Sequence, residues 1–296
     1  MLGDLPPEEL GVTDSHDHLF LASAQLPGQE LDDPAAAEAE LRAFTALGGR
    51  SVVQWTPHGM GGRPGDLAEL SRRTGVHLVA ATGLHRAMHY ADRDALRRLD
   101  PAELFTAELR SHAGLVKVAG AYHGLDAHAR WTMAGAAEAH RATGAPIAVH
   151  HELGTAAEDV LELLCGDLGV PPHRVILGHL NRFPDLGLHR RLAASGAYLA
   201  LDGPSAANHA TDHHLLDCLA ALADAGHADR LLLGGDTTTA AARGNPGMAY
   251  LLRRIRPRLG PDLAHRVFTA NPAVAFAVPW TPRRTDDPAP DSGASW

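Results

Sequence analysis

Short apolar runs alternate along the chain with longer segments in which apolar residues recur every three or four positions. The short runs are typical of buried strands and the longer segments of amphipathic helices. The pattern predicts eight strands, at 12–18, 51–55, 77–82, 115–119, 147–150, 175–179, 197–201 and 231–236. It predicts helices between them, at 33–48, 64–74, 131–143, 155–168, 184–195, 211–225 and 246–259. Strand and helix therefore alternate, which favours a parallel sheet.

The number of strand–helix units decides the fold class. Eight units in a chain of 296 residues predict an α/β protein, a (β/α)8 TIM barrel. A doubly wound sheet is the alternative, but neither a GxGxxG motif nor a P-loop follows an early strand. We expect a single barrel domain over residues 1–278 and a disordered tail over 279–296, which is rich in Pro, Asp and Ser.

Composition narrows the classes of partner. The net charge is -9 and no basic stripe is present, so we expect no nucleic-acid partner. No apolar run reaches roughly 18 residues, and no basic and apolar leader opens the chain. We therefore expect no membrane contact and a cytoplasmic location. Cys165 and Cys218 show neither metal-binding nor redox spacing.

Of the 26 basic residues, only Lys117 is a lysine, and it lies in an apolar run that predicts a buried strand. Burying an ammonium is costly unless it is paired, neutral or chemically modified. Lysine can lose its proton whereas arginine cannot, which points to a chemical use for this amine. A buried ion pair with a carboxylate, or a side chain that reaches solvent, is the structural alternative.

Residue types that bind metals occur in five of the predicted strands, at or near their C-terminal ends. In a barrel the C-terminal ends of the strands meet at one rim, where active sites are built. This rim would carry His16, His18, Lys117, His150, His179 and Asp236. Side chains alternate along a strand, so His16 and His18 face one side and can share one ion, whereas His151 turns away. Each residue alone also suits a helix cap or a bond to a backbone carbonyl, but the joint pattern predicts a metal site.

At these positions the sequence resembles the phosphotriesterase family of the amidohydrolase superfamily, over nearly the whole chain. The matching stretches are GVTDSHDH at 11–18, VAATGL at 79–84, VKVA at 116–119, TGAPIAVH at 143–150, ILGH at 176–179, LALDG at 199–203 and NP at 271–272. The ordered set of HxH, Lys, His, His and Asp is highly specific. The resemblance implies a (β/α)8 barrel that holds two divalent metal ions.

The resemblance also implies a role for each of these residues. A buried ion would be held by His16, His18 and Asp236, and a more exposed ion by His150 and His179. Lys117, carboxylated by carbon dioxide, would bridge both ions together with a hydroxide, and a buried neutral amine suits this reaction. Asp236 and Lys117 are the predicted catalytic residues, since Asp236 can orient the hydroxide and take its proton. Zinc suits these ligands, and manganese, cobalt and iron are compatible with them.

The predicted substrate pocket departs from the family pattern. Phosphotriesterases carry a proton relay of an Asp and a His where this chain has Arg182 and Gly203. Related lactonases carry an Arg at the Gly203 position and a Tyr where this chain has His85. The predicted substrate-binding residues are instead His85, Tyr122, His123 and Arg182. Arg182 can clamp an anionic group of the substrate; the alternative is that it pairs with Asp185 or lies in solvent.

We therefore predict a binuclear metal-dependent hydrolase in which a bridging hydroxide attacks an ester, lactone or phosphoester. The alternative is an amidase or deacylase that acts on a small acidic N-acyl compound and anchors it through Arg182. A non-catalytic barrel used for binding is a second alternative, and it predicts an incomplete ligand set. A small molecule is the expected substrate, and the resemblance implies a homodimer.

Overall fold

Eight parallel strands form a nearly closed barrel in the computed structural model, which describes residues 2–205, 209–244 and 246–278. The strands are β1 Thr13–Asp17, β2 Ser51–Gln54, β3 His77–Gly83, β4 Ala113–Ala119, β5 Ile147–His150, β6 Val175–Gly178, β7 Tyr198–Asp202 and β8 Leu231–Gly234. Each strand pairs in parallel with the next one along the chain. β8 lies against β1, where Asp236 N donates to His16 O at 2.9 Å.

This strand order confirms the predicted (β/α)8 barrel. The doubly wound alternative is wrong, because the order follows the chain without the reversal that a doubly wound sheet requires. The predicted tail, 279–296, lies outside the described residues.

Helices cover the outside of the barrel. Within the described residues they are α1 Pro34–Thr45, α2 Pro64–Thr74, α3 Arg93–Arg97, α4 Pro101–Ser111, α5 Ala127–Thr143, α6 Ala157–Leu161, α7 Leu186–Ala194, α8 Leu215–Asp224, α9 Pro261–His265 and α10 Asn271–Ala275. Asp33 caps α1 by accepting bonds from Ala35 N and Ala36 N, as the Asp-Pro pair at its start predicts. The same signal opens α4 at Asp100, yet the predicted helices omit α3 and α4. None of the described helices combines the length and the hydropathy that crossing a membrane requires.

The C-terminal part of the barrel wall is less regular than predicted. In place of the predicted helix at 246–259, Leu251–Ile255 forms a wide π-helical turn. The chain continues into α9 and α10, which the sequence pattern did not predict, with a second wide turn at Arg266–Ala270 between them. This segment brings Leu251 against Gly203 at the end of β7.

Strands β6 and β8 end earlier than the apolar runs predict, and a predicted ligand follows each of them. β6 stops at Gly178 and β8 at Gly234, so His179 and Asp236 lie just beyond the strands. Both residues adopt the left-handed backbone conformation, with φ of 63° and 51°. Such a φ costs a non-glycine residue about 1–2 kcal/mol and persists where the surroundings enforce it. Packing at the rim therefore turns the chain at both ligands.

Apolar side chains fill the interior of the barrel below the rim. They include Val53, Leu115, Ala148, Ile176 and Leu232, all fully buried. A larger apolar core lies between the strands and the outer helices. The polar residues at the strand ends meet above these layers, at the C-terminal rim where barrels of this kind build their sites.

Candidate metal centre

The two histidines at the end of β1 approach one carboxylate oxygen. His16 Nε2 lies 3.5 Å and His18 Nε2 3.6 Å from Asp236 Oδ1. These separations are too long for strong hydrogen bonds, and two ligand atoms on one tetrahedral zinc ion would be roughly 3.3 Å apart. One ligand atom each of His16, His179 and Asp236 also lies within 4.8 Å of the others. The donor set and its spacing therefore fit a metal ion.

The buried carboxylate of Asp202, at the end of β7, forms hydrogen bonds with His16 and His179. His16 Nδ1 donates to Asp202 Oδ1 at 2.9 Å, and His179 Nδ1 donates to Asp202 Oδ2 at 2.5 Å. Burial raises the pKa of Asp202, but the neighbouring His179 and His16 more than offset this and hold it well below its ordinary value. Because the ionised carboxylate can only accept, both Nδ1 atoms carry a proton, and Nε2 is the ring nitrogen of each residue that is left to bind a metal.

Two further contacts fix the β1 histidines. The Thr56 hydroxyl donates to Phe20 O at 2.6 Å, so its oxygen accepts from His18 Nδ1 at 2.7 Å. The indole of Trp55 stacks on His16, with ring centroids 3.8 Å apart. Both rings are therefore oriented by neighbours that are not ligands themselves.

The sequence pattern does not identify these supporting residues. The predicted strand 197–201 stops one residue before Asp202, which is the last residue of β7. The rule that selects the ligands, a polar residue at the C-terminal end of a strand, would have found Asp202 as well. Thr56 and Trp55 carry no such signal, because Thr and Trp after a strand are common in loops and cores.

Lys117 lies on β4 with 3% of its surface exposed. β3 passes so close that a Cβ at Gly83 would lie 1.9 Å from Lys117 O, so only glycine fits there. Burial lowers the pKa of the Lys117 amine to about 7, against a smaller opposite effect of Asp236. About half of these amines are therefore neutral at neutral pH, which suits a reaction with carbon dioxide.

The outer side of the centre is built around His150. Its Nε2 lies 3.1 Å from Glu152 Oε2, and Arg86 pairs with the same oxygen at 2.6 Å. The His150 and His179 rings meet edge-on with centroids 4.4 Å apart, so the two residues are neighbours, as two ligands of one ion must be. The His150 side chain is 21% exposed and that of His179 is 6% exposed.

His85 follows β3 and lies next to His150. The two rings meet edge-on at 4.6 Å, and His89 stacks in parallel on His85 at 4.2 Å. Burial, followed in effect by the charge of Lys117, lowers the pKa of His85 well below its ordinary value, so the ring is neutral. Among the described residues its Nδ1 has no hydrogen-bond partner although it is buried. This position suits the predicted contact with substrate.

Arg182 is buried beside the ligands. Its Nη2 donates to Asp236 Oδ2 at 2.7 Å and lies 3.6 Å from Asp202 Oδ2. Only 5% of the side chain is exposed, so the expected alternative of a position in solvent is wrong. The guanidinium belongs to the carboxylate network of the centre, and its predicted contact with an anionic substrate stays a prediction.

Packing leaves little room for a side chain at Gly203, the position where phosphotriesterases carry the histidine of the relay. A Cβ at Gly203 would lie 2.8 Å from Leu251 Cδ2 and 3.4 Å from Gly234 O. Leu251 therefore occupies the space next to Gly203, and a larger residue at this position would require the Leu251 side chain to shift.

Tyr122 and His123, the other predicted substrate contacts, lie at the rim in the loop after β4. Tyr122 is 60% exposed, and its ring meets that of His123 edge-on at 4.3 Å. His123 has a left-handed φ of 54° and also meets the exposed Phe183 ring edge-on. The structure thus places both residues at the mouth of the barrel rather than among the ligands.

Two other histidines near the rim have partners of their own. His151 is fully buried and its Nδ1 donates to Thr155 O at 2.9 Å, in agreement with the expectation that it turns away. His58 Nδ1 lies 2.7 Å from Glu108 Oε1 on α4, and Thr82 donates to Glu108 Oε2 at 2.5 Å. This last cluster packs between the β2–α2 loop, β3 and α4.

Known proteins are similar to this chain in sequence and in fold. The sequence model of the Phosphotriesterase family matches residues 1–271. A phospho-furanose lactonase from Mycoplasmopsis synoviae is 27% identical over 297 residues, which cover 88% of this chain and 84% of the relative. The crystal structure of a lactonase from Listeria monocytogenes has a TM-score of 0.86 at 26% identity and covers 93% of this chain and 97% of that one. An N-acetyltaurine hydrolase from Tetraodon nigroviridis is 24% identical and covers 88% of this chain and 90% of the relative.

Proposed function

The chain belongs to the phosphotriesterase family, and from this membership we propose that it is a binuclear metal-dependent hydrolase acting on a lactone, ester or phosphoester bond. The ligand arrangement at the rim is the observation that carries the proposal. Two histidine Nε2 atoms face Asp236 Oδ1, and Asp202 fixes the tautomer of two histidines. A barrel kept only for binding has no need of histidines held in the metal-binding tautomer.

The proposed ligands divide between two ions. The buried ion would be held by His16, His18 and Asp236, the more exposed one by His150 and His179, and Lys117 would bridge them as a carbamate. These nitrogen and oxygen donors suit zinc, with manganese, cobalt or iron as alternatives. When bound, such a pair of ions acidifies a bridging water and polarises the oxygen of the bond to be cleaved.

Asp236 is the proposed catalytic carboxylate. Burial raises its pKa, but His179 and His16 more than offset this and hold it well below its ordinary value, so the carboxylate is ionised and its oxygens can accept hydrogen bonds. Arg182 fixes the plane of the carboxylate from the Oδ2 side, which leaves Oδ1 to orient the attacking water. His85, whose Nδ1 has no hydrogen-bond partner among the described residues, would contact the reacting end of the substrate, and Tyr122 and His123 its distal end.

A lactone is the favoured substrate. Two of the relatives named above are lactonases. Arg182 cannot take a proton from Asp236, because a guanidinium is permanently charged and only donates hydrogen bonds. Gly203 has no side chain that could take one. In an opened lactone the leaving alkoxide stays attached to the substrate and within reach of Asp236, so the ring-opening needs no relay to solvent.

A second candidate is an amidase that acts on a small acidic N-acyl compound. The N-acetyltaurine hydrolase among the relatives and the buried cation of Arg182 favour it. Arg182→Met, assayed on matched anionic and neutral substrates, tests the anchor. A loss confined to anionic substrates supports this candidate, and an equal loss on both contradicts it.

Metal content and activity of the purified protein test the main proposal. We expect two ions per chain after loading with zinc, manganese or cobalt, and faster hydrolysis of lactones than of aryl phosphotriesters. His18→Asn should lose an ion and the activity, whereas His265→Asn, at an exposed position on α9, should keep both. Fewer than one ion per chain with every metal would favour the non-catalytic barrel. Size-exclusion chromatography of the same samples tests the predicted homodimer, and a cytoplasmic location stays a prediction.

A further inference from the structure

The contacts of Asp202 reach both proposed ion positions. Its Oδ1 binds His16, a proposed ligand of the buried ion, and its Oδ2 binds His179, a proposed ligand of the more exposed ion. Building on the proposed function, we propose that Asp202 is a positioning residue that couples the two ions, so that filling one position prepares the other.

Hydrogen bonds hold the main chain of Asp202 in place, so its carboxylate can pass a movement of one histidine ring on to the other. Asp202 is fully buried, and its backbone N–H and C=O both bond to the Asn181 side chain, at 2.9 and 3.0 Å. Because the main chain is fixed on both sides, the carboxylate can respond to a movement of one imidazole only by rotating about its own side-chain bonds. That rotation changes the bond to the other imidazole, so an ion that fixes His16 also fixes the direction in which His179 points.

A carboxylate is the group that this position requires. Both Nδ1–H groups donate, and an ionised carboxylate offers an acceptor to each of them. An asparagine offers one acceptor oxygen and an amide donor, which would oppose the second Nδ1–H. That histidine would have to turn or move its proton to Nε2, where the proton occupies the lone pair that a metal needs.

Thr56 supports a ligand of one ion only and therefore provides the matched control for Asp202. Its hydroxyl accepts from His18 Nδ1 at 2.7 Å, and His18 is a proposed ligand of the buried ion alone. Thr56→Val keeps the shape of the side chain and removes this acceptor, so it disturbs a ligand of one ion. Asp202→Asn keeps the shape of the carboxylate and disturbs a ligand of each ion.

Calorimetric titration with Co2+ after chelator treatment, together with metal analysis, tests the coupling. The wild-type protein should take up two ions with positive cooperativity. In Asp202→Asn both affinities should fall by about 10–100-fold, and the cooperativity should be weaker than in the wild type, with only the part that the shared ligand Lys117 supplies remaining. In Thr56→Val the fall should be confined to one ion.

The outcomes separate this inference from the function on which it rests. If Asp202→Asn weakens one ion and leaves the other unchanged, the coupling is wrong and the two-metal hydrolase stands. If the wild-type protein takes up one ion or none, both are wrong.

The histidine tautomers give a second measurement that needs no variant to fold. In metal-free wild-type protein labelled with 15N, the ring nitrogen shifts of His16 and His179 should report a proton on Nδ1 in both residues. An Nδ1 without a proton in either ring would overturn the proposed role of Asp202.

Discussion

On the β1, β7 and β8 side of the metal centre the polar side chains are buried and joined by hydrogen bonds. On the β3 and β5 side the rings stack on one another, and all the side chains except the buried His85 are partly exposed. The first group, called the closed half here, comprises His16, His18, Asp202 and Asp236. The second group, called the open half, comprises His85, His89, His150 and Glu152. In the closed half the side chains are at most 7% exposed, against 21% for His150 and 28% for Glu152.

The difference separates two tasks within one site. Bonds to Asp202 and Thr56 fix ring orientation and tautomer before a metal arrives, which lowers the cost of ordering the ligands. Rings that rest on an exposed carboxylate and on stacking are free to shift by small amounts. The closed half is therefore suited to retaining an ion, and the open half to exchanging one and admitting substrate.

The largest effect is expected at Lys117, where the two halves meet. Lys117→Arg keeps the positive charge but cannot form a carbamate, because a guanidinium does not lose its proton. Activity should fall by roughly 1,000-fold or more, which corresponds to about 4 kcal/mol of lost stabilisation. Both ions should be lost as well. Steady-state kinetics and metal analysis measure the two effects.

Lys117→Ala is the matched variant, since its cavity can take a short carboxylic acid. Added propionate should partly restore metal binding and activity to Lys117→Ala and leave Lys117→Arg unchanged. A fully active Lys117→Arg protein would show that Lys117 is not the bridge between the halves.

The next largest effect is expected at Arg182, which binds Asp236 of the closed half. Arg182→Met leaves the buried Asp236 without its 2.7 Å partner, which should lower the unfolding free energy of the metal-free protein by about 3 kcal/mol. With metal bound the loss should be smaller, because the ions compensate the charge of Asp236. Urea unfolding with and without chelator measures both values.

Arg191→Met is the control for this prediction. It removes an exposed ion pair with Glu158, in which both side chains are 62% exposed, and such pairs contribute little. Its unfolding should match the wild type under both conditions. An equal loss in Arg182→Met with and without metal would show that Asp236 does not contact an ion.

The closed half was largely predictable from the sequence, because its ligands follow apolar runs whose period and length identify strands. The apolar run that predicts β7 ends one residue before Asp202, because Asp202 extends the strand beyond that run. The apolar pattern also places His179 and Asp236 inside strands, whereas both lie beyond the strand in a left-handed conformation. Local sequence does not specify that turn; the packing of the rim does.

The open half was less predictable. His150 ends a strand and was found, but the stacking of His85 on His89 depends on the path of the loop after β3, which has no period. The pairing of Glu152 with Arg86 joins two different loops. Contacts of this kind arise only when the barrel has closed, so spacing along the chain cannot indicate them.

A smaller effect is expected in the open half, at Glu152. Glu152→Gln replaces the carboxylate that supports His150 by a neutral amide, and the affinity for the more exposed ion should fall by about 10-fold. The affinity of the buried position in the absence of the second ion should stay that of the wild type, because its ligands do not contact Glu152, and only the gain that depends on a filled outer position should shrink. Calorimetric titration resolves the two ions. Loss of the buried ion at every metal concentration would show that Glu152 also supports the closed half directly.

The smallest effect is expected outside both halves, at Glu108. Glu108→Gln removes a contact to His58 of 2.7 Å, similar to the 3.1 Å contact between Glu152 and His150, but His58 is not a proposed ligand. Metal affinity should therefore stay unchanged. The unfolding free energy should fall by less than about 1 kcal/mol after screening by solvent. Metal titration and urea unfolding of the same samples measure both quantities.

The fall in unfolding free energy of Glu108→Gln should depend on pH if the ion pair between His58 and Glu108 causes it. The bond to Glu108 raises the pKa of His58 above its ordinary value of 6.5, so the contribution of His58 is complete below pH 6.5 and disappears as the pH rises through the raised pKa. Burial raises the pKa of Glu108, but the bonds from His58 and Thr82 lower it overall, so its contribution disappears as the pH falls below 4.5. The difference in unfolding free energy from the wild type should thus be largest near roughly pH 5–6.

A fall in metal affinity in Glu108→Gln would mean that a carboxylate–histidine contact acts on the ions regardless of its location, and the contrast between the two halves would lose its basis.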